Sequence, residues 1–193
     1  MCGITGQLNF NNKSIDRTIF KKMNNLILHR GPDDFGYYFN NNLALGNVRL
    51  SIFDTSNNGH MPMKSKDGRF VISYNGEVYN WKEIRKDLKF NNWRSETDTE
   101  TILYAYIEKG PECLKLFRGM FTISIWDNKK KEIFIARDRE GIKPLYYFKS
   151  SEKIIFSSEI KSIIRSGVNK KIDYGELYNF LRWGLIDHSK KTL

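Results

Sequence analysis

Two stretches, Met120 to Trp126 and Glu132 to Arg137, flank a polar Lys129-Lys130-Lys131 tip and are rich in Ile and Phe. A strand that is apolar along both faces has to be covered on both, so this hairpin belongs in the middle of a sheet with something packed above and below it. Phe70 to Tyr74 has the same character. More strand signals lie on either side: Gly3 to Phe10, a pair at Phe35 to Phe39 and Leu43 to Leu50 around Asn40-Asn41-Asn42, a short segment at Lys89 to Arg94, and Leu145 to Phe148 with Lys153 to Phe156.

Helical spacing falls between and after them. Ser14 can cap a helix whose apolar positions Ile15, Ile19, Met23, Leu26 and Ile27 fall at intervals of three and four. Asn80 with Glu83, Thr97 with Glu100, and Asp173 with Glu176 read as capping boxes. The second opens a helix carrying Ile102, Leu103, Tyr106 and Ile107 and ended by Gly110-Pro111; the third carries Leu177, Phe180 and Leu181. Glu112 to Phe117 is a short helical piece, and Ser157-Ser158-Glu159 starts another helix through Ile164. Strands early and late with helices between predict an α+β domain in which helices cover antiparallel sheets. Residues 1–166 read as that domain and 167–193 as a C-terminal helix leading away from it.

The 193 residues suffice for one sizeable core. The net charge of +10 is scattered, and Lys170-Lys171 and Lys190-Lys191 are only pairs, so nucleic acid is not the expected partner. No stretch approaches 18 apolar residues and no signal pattern opens the chain, so a cytoplasmic protein without membrane contact is expected. Cys2 and Cys113 lie far apart, as do His29, His60 and His188, without metal-ligand spacing; no metal site is expected. Neither the G-x-x-x-x-G-K-[ST] phosphate loop nor G-x-G-x-x-G occurs. Cys113, among apolar residues, reads as a core cysteine.

Chemistry is suggested at the start of the chain, Met1-Cys2-Gly3-Ile4-Thr5-Gly6. Removal of Met1 would place a thiol and a free α-amine on one residue, a nucleophile and a base together. A cysteine attacking an amide needs two donors for the oxyanion. Asn75-Gly76 after a strand can supply a side-chain N–H and a backbone N–H, or can equally be a tight hairpin turn. Arg49 can hold a carboxylate bidentately, or be a surface strand residue. Glu77 and Asp98 can hold an ammonium, although Thr97-Asp98 is also what an ordinary helix N-terminus looks like.

Taken together, eight blocks occur in order: Cys2-Gly3-Ile4, His29-Arg30-Gly31-Pro32-Asp33, Arg49-Leu50-Ser51-Ile52, Tyr74-Asn75-Gly76-Glu77-Val78-Tyr79-Asn80, Thr97-Asp98-Thr99-Glu100, Gly119-Met120-Phe121, Ala136 through Tyr147, and Ser157-Ser158-Glu159-Ile160-Lys161. This closely resembles the class II glutamine amidotransferase domain, specifically the glutaminase half of glutamine-dependent asparagine synthetases. The resemblance implies an N-terminal-nucleophile hydrolase fold, a four-layer αββα sandwich of two antiparallel sheets. It implies Cys2 as nucleophile with its own amine as base, and an oxyanion hole from the Asn75 side chain and the Gly76 N–H. It further implies Arg49 on the carboxylate of L-glutamine, Glu77 and Asp98 on its ammonium, and backbone around Leu50, Ile52 and Phe53 lining the pocket. Such proteins continue into a synthetase domain with an S-G-G-x-D-S loop that uses ATP. Nothing here matches that loop, so no cofactor is expected in this chain, ATP and Mg being left to a synthetase domain or partner subunit. The last residues, Leu181 to Leu185, would lie near the join, and a homodimer is one candidate assembly of the full-length protein. Two alternatives stay open: the same domain feeding a different acceptor, and a non-catalytic binding or regulatory module if Met1 is retained.

Overall fold

A computed structural model describes residues 1–52 and 54–184. Among the described residues, nine strands form two antiparallel sheets. The first sheet has the order β2-β3-β1-β9-β8, with β1 Gly3–Asn9, β2 Asp34–Asn40, β3 Leu43–Arg49, β8 Tyr146–Lys149 and β9 Lys153–Ser157. The second has the order β4-β5-β6-β7, with β4 Met63–Lys64, β5 Phe70–Val78, β6 Gly119–Asp127 and β7 Glu132–Arg137. The helices are α1 Arg17–Asn25, α2 Trp81–Asp87, α3 Asp98–Lys109, α4 Ile160–Arg165 and α5 Tyr174–Trp183.

Alternation along the strands builds four layers. On β5 and β6, Ile72, Tyr74, Val78, Phe121, Ile123 and Ile125 pack with Trp81 and Ile84 of α2 and Ile102 and Leu103 of α3. The opposite faces turn inward, where Val71 and Trp126 meet Ile4, Leu8, Leu43, Leu45 and Phe156 from the first sheet. The outer face of that sheet carries Ala44 and Ile155 against Phe20 and Met23 of α1 and Ile163 of α4. The result is the αββα sandwich. Of the Ile- and Phe-rich hairpin only β6 is central, while β7 forms the edge of the second sheet with none of its residues fully buried, so the expectation of a mid-sheet hairpin holds for one strand and not the other.

Several details differ from the sequence expectation. The segment Lys89 to Arg94 is not a strand; Glu108 of α3 accepts from the N–H groups of Lys89 and Phe90 and holds it as a loop. Strand β5 runs past Tyr74 to Val78, so Asn75 and Gly76 pair with Thr122 and Phe121 inside the sheet. Asp16, not Ser14, caps α1, taking the N–H groups of Thr18 and Ile19. Asn80 makes no cap bond and is instead tied to the backbone at Leu116 and Arg118. Thr97 caps α3, but Glu100 closes back onto Ser95, through its N–H at 2.9 Å and its hydroxyl at 2.8 Å. No residue of α5 is buried. His188, Leu185 and the Lys190-Lys191 pair lie outside the described residues. Among the described residues, no helix is long and apolar enough to cross a membrane.

Candidate active site

The register Gly3↔Val48 sets the N-terminal end of β1 beside the C-terminal end of β3. Cys2, just before β1, therefore lies against Leu50, just after β3. The thiol donates to the Leu50 carbonyl oxygen at 3.6 Å, and Sγ accepts from the Leu50 N–H at 3.4 Å. Burial pushes the thiol above its ordinary value, opposed by the Leu50 bond, the N-terminal amine and the Arg49 charge.

Around this thiol lies a pocket lined by Arg49, Leu50, Ile52, Met61, Tyr74, Gly76, Glu77, Thr97, Asp98 and Thr99. Three elements meet there: the end of β3 with the loop after it, the end of β5, and the first turn of α3. Seven of the residues named from sequence (Cys2, Arg49, Leu50, Ile52, Gly76, Glu77 and Asp98) share this one wall-to-wall space, although they span almost a hundred positions of the chain. Phe53 lies outside the described residues. Asn75 does not line the pocket. It is 1% exposed, and neither Nδ2 nor Oδ1 finds a hydrogen-bond partner among the described residues.

Arg49 is 5% exposed and not a surface strand residue. Its guanidinium donates to the carbonyl oxygens of Ser56 at 3.3 Å and Asp54 at 2.5 Å, drawing the following loop around it. Gly59 makes room: a Cβ there would sit 2.0 Å from an Arg49 nitrogen. The His29-Arg30-Gly31-Pro32-Asp33 segment braces the same place. Pro32 bridges to Arg49, the Asp33 N–H donates to the Arg49 oxygen, and the Ser51 N–H donates to the Asp33 carboxylate at 2.7 Å. Only glycine fits at position 31, where a Cβ would lie 2.4 Å from the Arg49 backbone nitrogen.

Asp98 is the first residue of α3 and 4% exposed. Its Oδ2 accepts from the Tyr74 hydroxyl at 2.7 Å and the Val78 N–H at 2.9 Å. Burial nevertheless wins over these bonds and raises its carboxyl to about 6. Gly76 presents backbone to the pocket because a Cβ would lie 2.3 Å from the Met120 oxygen on β6.

Sequence reasoning missed the brace behind Cys2. Arg30 Nε donates to the Cys2 carbonyl oxygen at 3.1 Å and its NH1 to Glu159 at 3.2 Å. Glu159 also meets His29 at 2.8 Å and Lys161 at 2.9 Å, and Ser158 exchanges bonds with Ile4 on both sides. The signal was present: both motif blocks carry charge of opposite sign with no role assigned. Tyr74, Thr97, Thr99 and Met61 were also missed as pocket walls. Cys113 sits in the core under α3, its thiol pushed up to about 12 by burial. Among the described residues, no cluster suited to a metal occurs.

A family model described as a glutamine amidotransferase domain matches residues 1–193. A putative glutamine-hydrolysing asparagine synthetase of Methanocaldococcus jannaschii is 43% identical, over 89% of this chain and 36% of that protein. A glutamine-hydrolysing asparagine synthetase of Bacillus subtilis is 40% identical, over 84% of this chain and 22% of its own length. This chain thus spans well under half the length of these relatives. Among solved structures, the glutamine phosphoribosylpyrophosphate amidotransferase of B. subtilis superposes with a TM-score of 0.73 at 16% identity, over 86% of this chain and 44% of that one, a likeness of fold.

Proposed function

The chain belongs to the glutamine amidotransferase domain family, and on that premise we propose that it hydrolyses L-glutamine at the Cys2 pocket, as the glutaminase half of a glutamine-dependent asparagine synthetase. One observation carries the reading: a thiol hydrogen-bonded to Leu50 opens onto a pocket whose walls combine a buried arginine with two carboxylates. Those three charges complement a free α-amino acid, with Arg49 on the carboxylate and Glu77 and Asp98 on the ammonium. The side-chain amide of glutamine then reaches towards Cys2.

Removal of Met1, which is 59% exposed, leaves the amine of Cys2 free to take the thiol proton. Sulfur adds to the amide carbon, and the oxyanion is assigned to the Gly76 N–H and the Asn75 side-chain amide; Asn75 stands between the wall residues Tyr74 and Gly76, and its donor finds no partner among the described residues. The C–N bond breaks, the amine returns its proton to the leaving nitrogen, and ammonia departs. Water, deprotonated by the same amine, cleaves the γ-glutamyl thioester to give glutamate and the free thiol. No cofactor enters these steps; ATP and Mg2+ belong to a synthetase portion that receives the ammonia. The protein works in the cytoplasm, residues 1–166 forming the glutaminase and 167–193 the lead into its partner domain.

Glutamate release by the purified chain is the test. We expect Cys2-dependent turnover that Cys2→Ala removes. Turnover surviving Cys2→Ala would overturn the assignment, and an inert chain that retains Met1 would favour a non-catalytic module.

A further inference from the structure

Resting on the glutaminase reading, we infer that Tyr74 is a positioning residue that fixes the Asp98 carboxylate for the substrate ammonium and so sets selectivity for substrates carrying an α-amine. Tyr74 is 2% exposed, its ring packed among Ile72, Ile102 and Ile123 in the layer between β5 and the helices. A phenylalanine would fill that space equally well. The hydroxyl, however, emerges at the pocket wall and donates to Asp98 Oδ2 at 2.7 Å. The Val78 N–H, four residues on, reaches the same oxygen at 2.9 Å. With Oδ2 committed twice to β5 and the Thr99 N–H adding a further bond, the carboxylate is held in one orientation at the pocket it lines.

The bond also decides how much of the carboxylate is charged. Burial favours the neutral acid, and the Tyr74 bond is the first of the influences that oppose it. The groups facing Asp98 are Tyr74 and Glu77 from β5, Cys2 from the N-terminal segment, Arg49 from the end of β3 and Arg85 of α2, which donates to the Thr97 oxygen just before it. Glu77, a like charge, pushes Asp98 towards neutrality and makes the hydroxyl more necessary.

The experiment compares the purified chain with Tyr74→Phe on two substrates, L-glutamine and 4-carbamoylbutanoate, which is glutamine without its α-amine. Loss of one hydrogen bond to a buried charge should raise KM for glutamine roughly tenfold, with a much smaller change in kcat. Hydrolysis of the desamino analogue should change little, so discrimination between the two shrinks by about the same factor. The acid limb of kcat/KM for glutamine should move to higher pH. Equal losses on both substrates would make Tyr74 merely structural, and no loss on either would remove it from the site; both overturn the inference. If the parent chain hydrolyses no glutamine, the glutaminase reading fails by itself. Carbon-detected titration of the Asp98 carboxyl then still decides: the inference predicts a higher midpoint in Tyr74→Phe, and an unchanged midpoint refutes it.

Discussion

The thiol of Cys2 is bracketed by both backbone groups of Leu50, taking the N–H at 3.4 Å and facing the carbonyl oxygen at 3.6 Å. The N–H favours a thiolate, the carbonyl a thiol, and burial sides with the thiol. Alkylation of Cys2 by iodoacetamide should therefore rise with pH through a midpoint above that of an exposed cysteine. Cys113, buried and shifted to about 12, should stay unlabelled throughout. Peptide mass mapping after timed labelling reads both; labelling of Cys113 at a comparable rate would contradict the burial argument.

Asp98 gives a stability prediction of opposite sign to that of an ordinary paired carboxylate. Its folded value is raised from 3.8 to about 6, so the folded state prefers the proton more than the unfolded chain does. The stability this contributes is complete below about 3.8 and is lost as pH rises through about 6. Denaturation midpoints measured across that window should fall more for the parent chain than for Asp98→Asn. Parallel curves would count against the shift.

Asp127 should behave the other way. Arg69 pairs with both of its oxygens, at 3.0 and 2.7 Å, and the N–H groups of Lys129 and Lys130 add to the hairpin tip. Its carboxyl is held at about 2, Arg69 being the leading cause. That stabilisation is present above about 3.8 and lost as pH falls through about 2. Asp127→Asn should cost about 1 kcal/mol at neutral pH, and urea midpoints should converge with the parent's as the solution is acidified. A difference that persists unchanged into acid would point to packing instead of charge.

On the proposed reading, Arg49 joins substrate and loop through one guanidinium, of which the loop bonds to Asp54 and Ser56 are observed. Lysine can replace its charge but not its fork, so Arg49→Lys should raise KM for glutamine at least roughly tenfold and make the stretch 54–59 more sensitive to limited proteolysis. Gly59→Ala should act on the same group from the other side, because its Cβ would collide with the guanidinium. Steady-state kinetics with a protease time course test both, and a variant pair with parent-like KM would detach Arg49 from the substrate.

How far the sequence carried this account varies by residue. The layered fold was legible because β5 and β6 are apolar where they must be covered, and because turn and cap residues punctuate the rest; β7, equally apolar, lies at the sheet edge, a place its composition did not reveal. The convergence of Cys2, Arg49, Gly76, Glu77 and Asp98 was legible only from the ordered motif blocks, since spacing left Arg49 as easily on the surface and Asn75-Gly76 as easily in a turn. The pairing of Asn75 with Thr122 inside β5 shows why: an Asn-Gly dipeptide favours a turn locally, but the long apolar partner β6 keeps the strand straight through it. Lys89 to Arg94 failed for a related reason, its aromatics Phe90 and Trp93 packing on Tyr104 of α3 without a neighbouring strand to bond. The Arg30–Glu159 brace and the Tyr74–Asp98 bond join positions 129 and 24 apart. Pairings of that kind follow from tertiary register, which no local pattern encodes.

The measurement that tests the central claim most directly is the intact mass of the purified chain before and after a thiol-directed glutamine analogue, read beside glutamate release. The account predicts a chain lacking Met1 that gains one adduct, mapped to Cys2, as turnover disappears. An active chain that gains no adduct at Cys2, or one that keeps its turnover once Cys2 is modified, would contradict it.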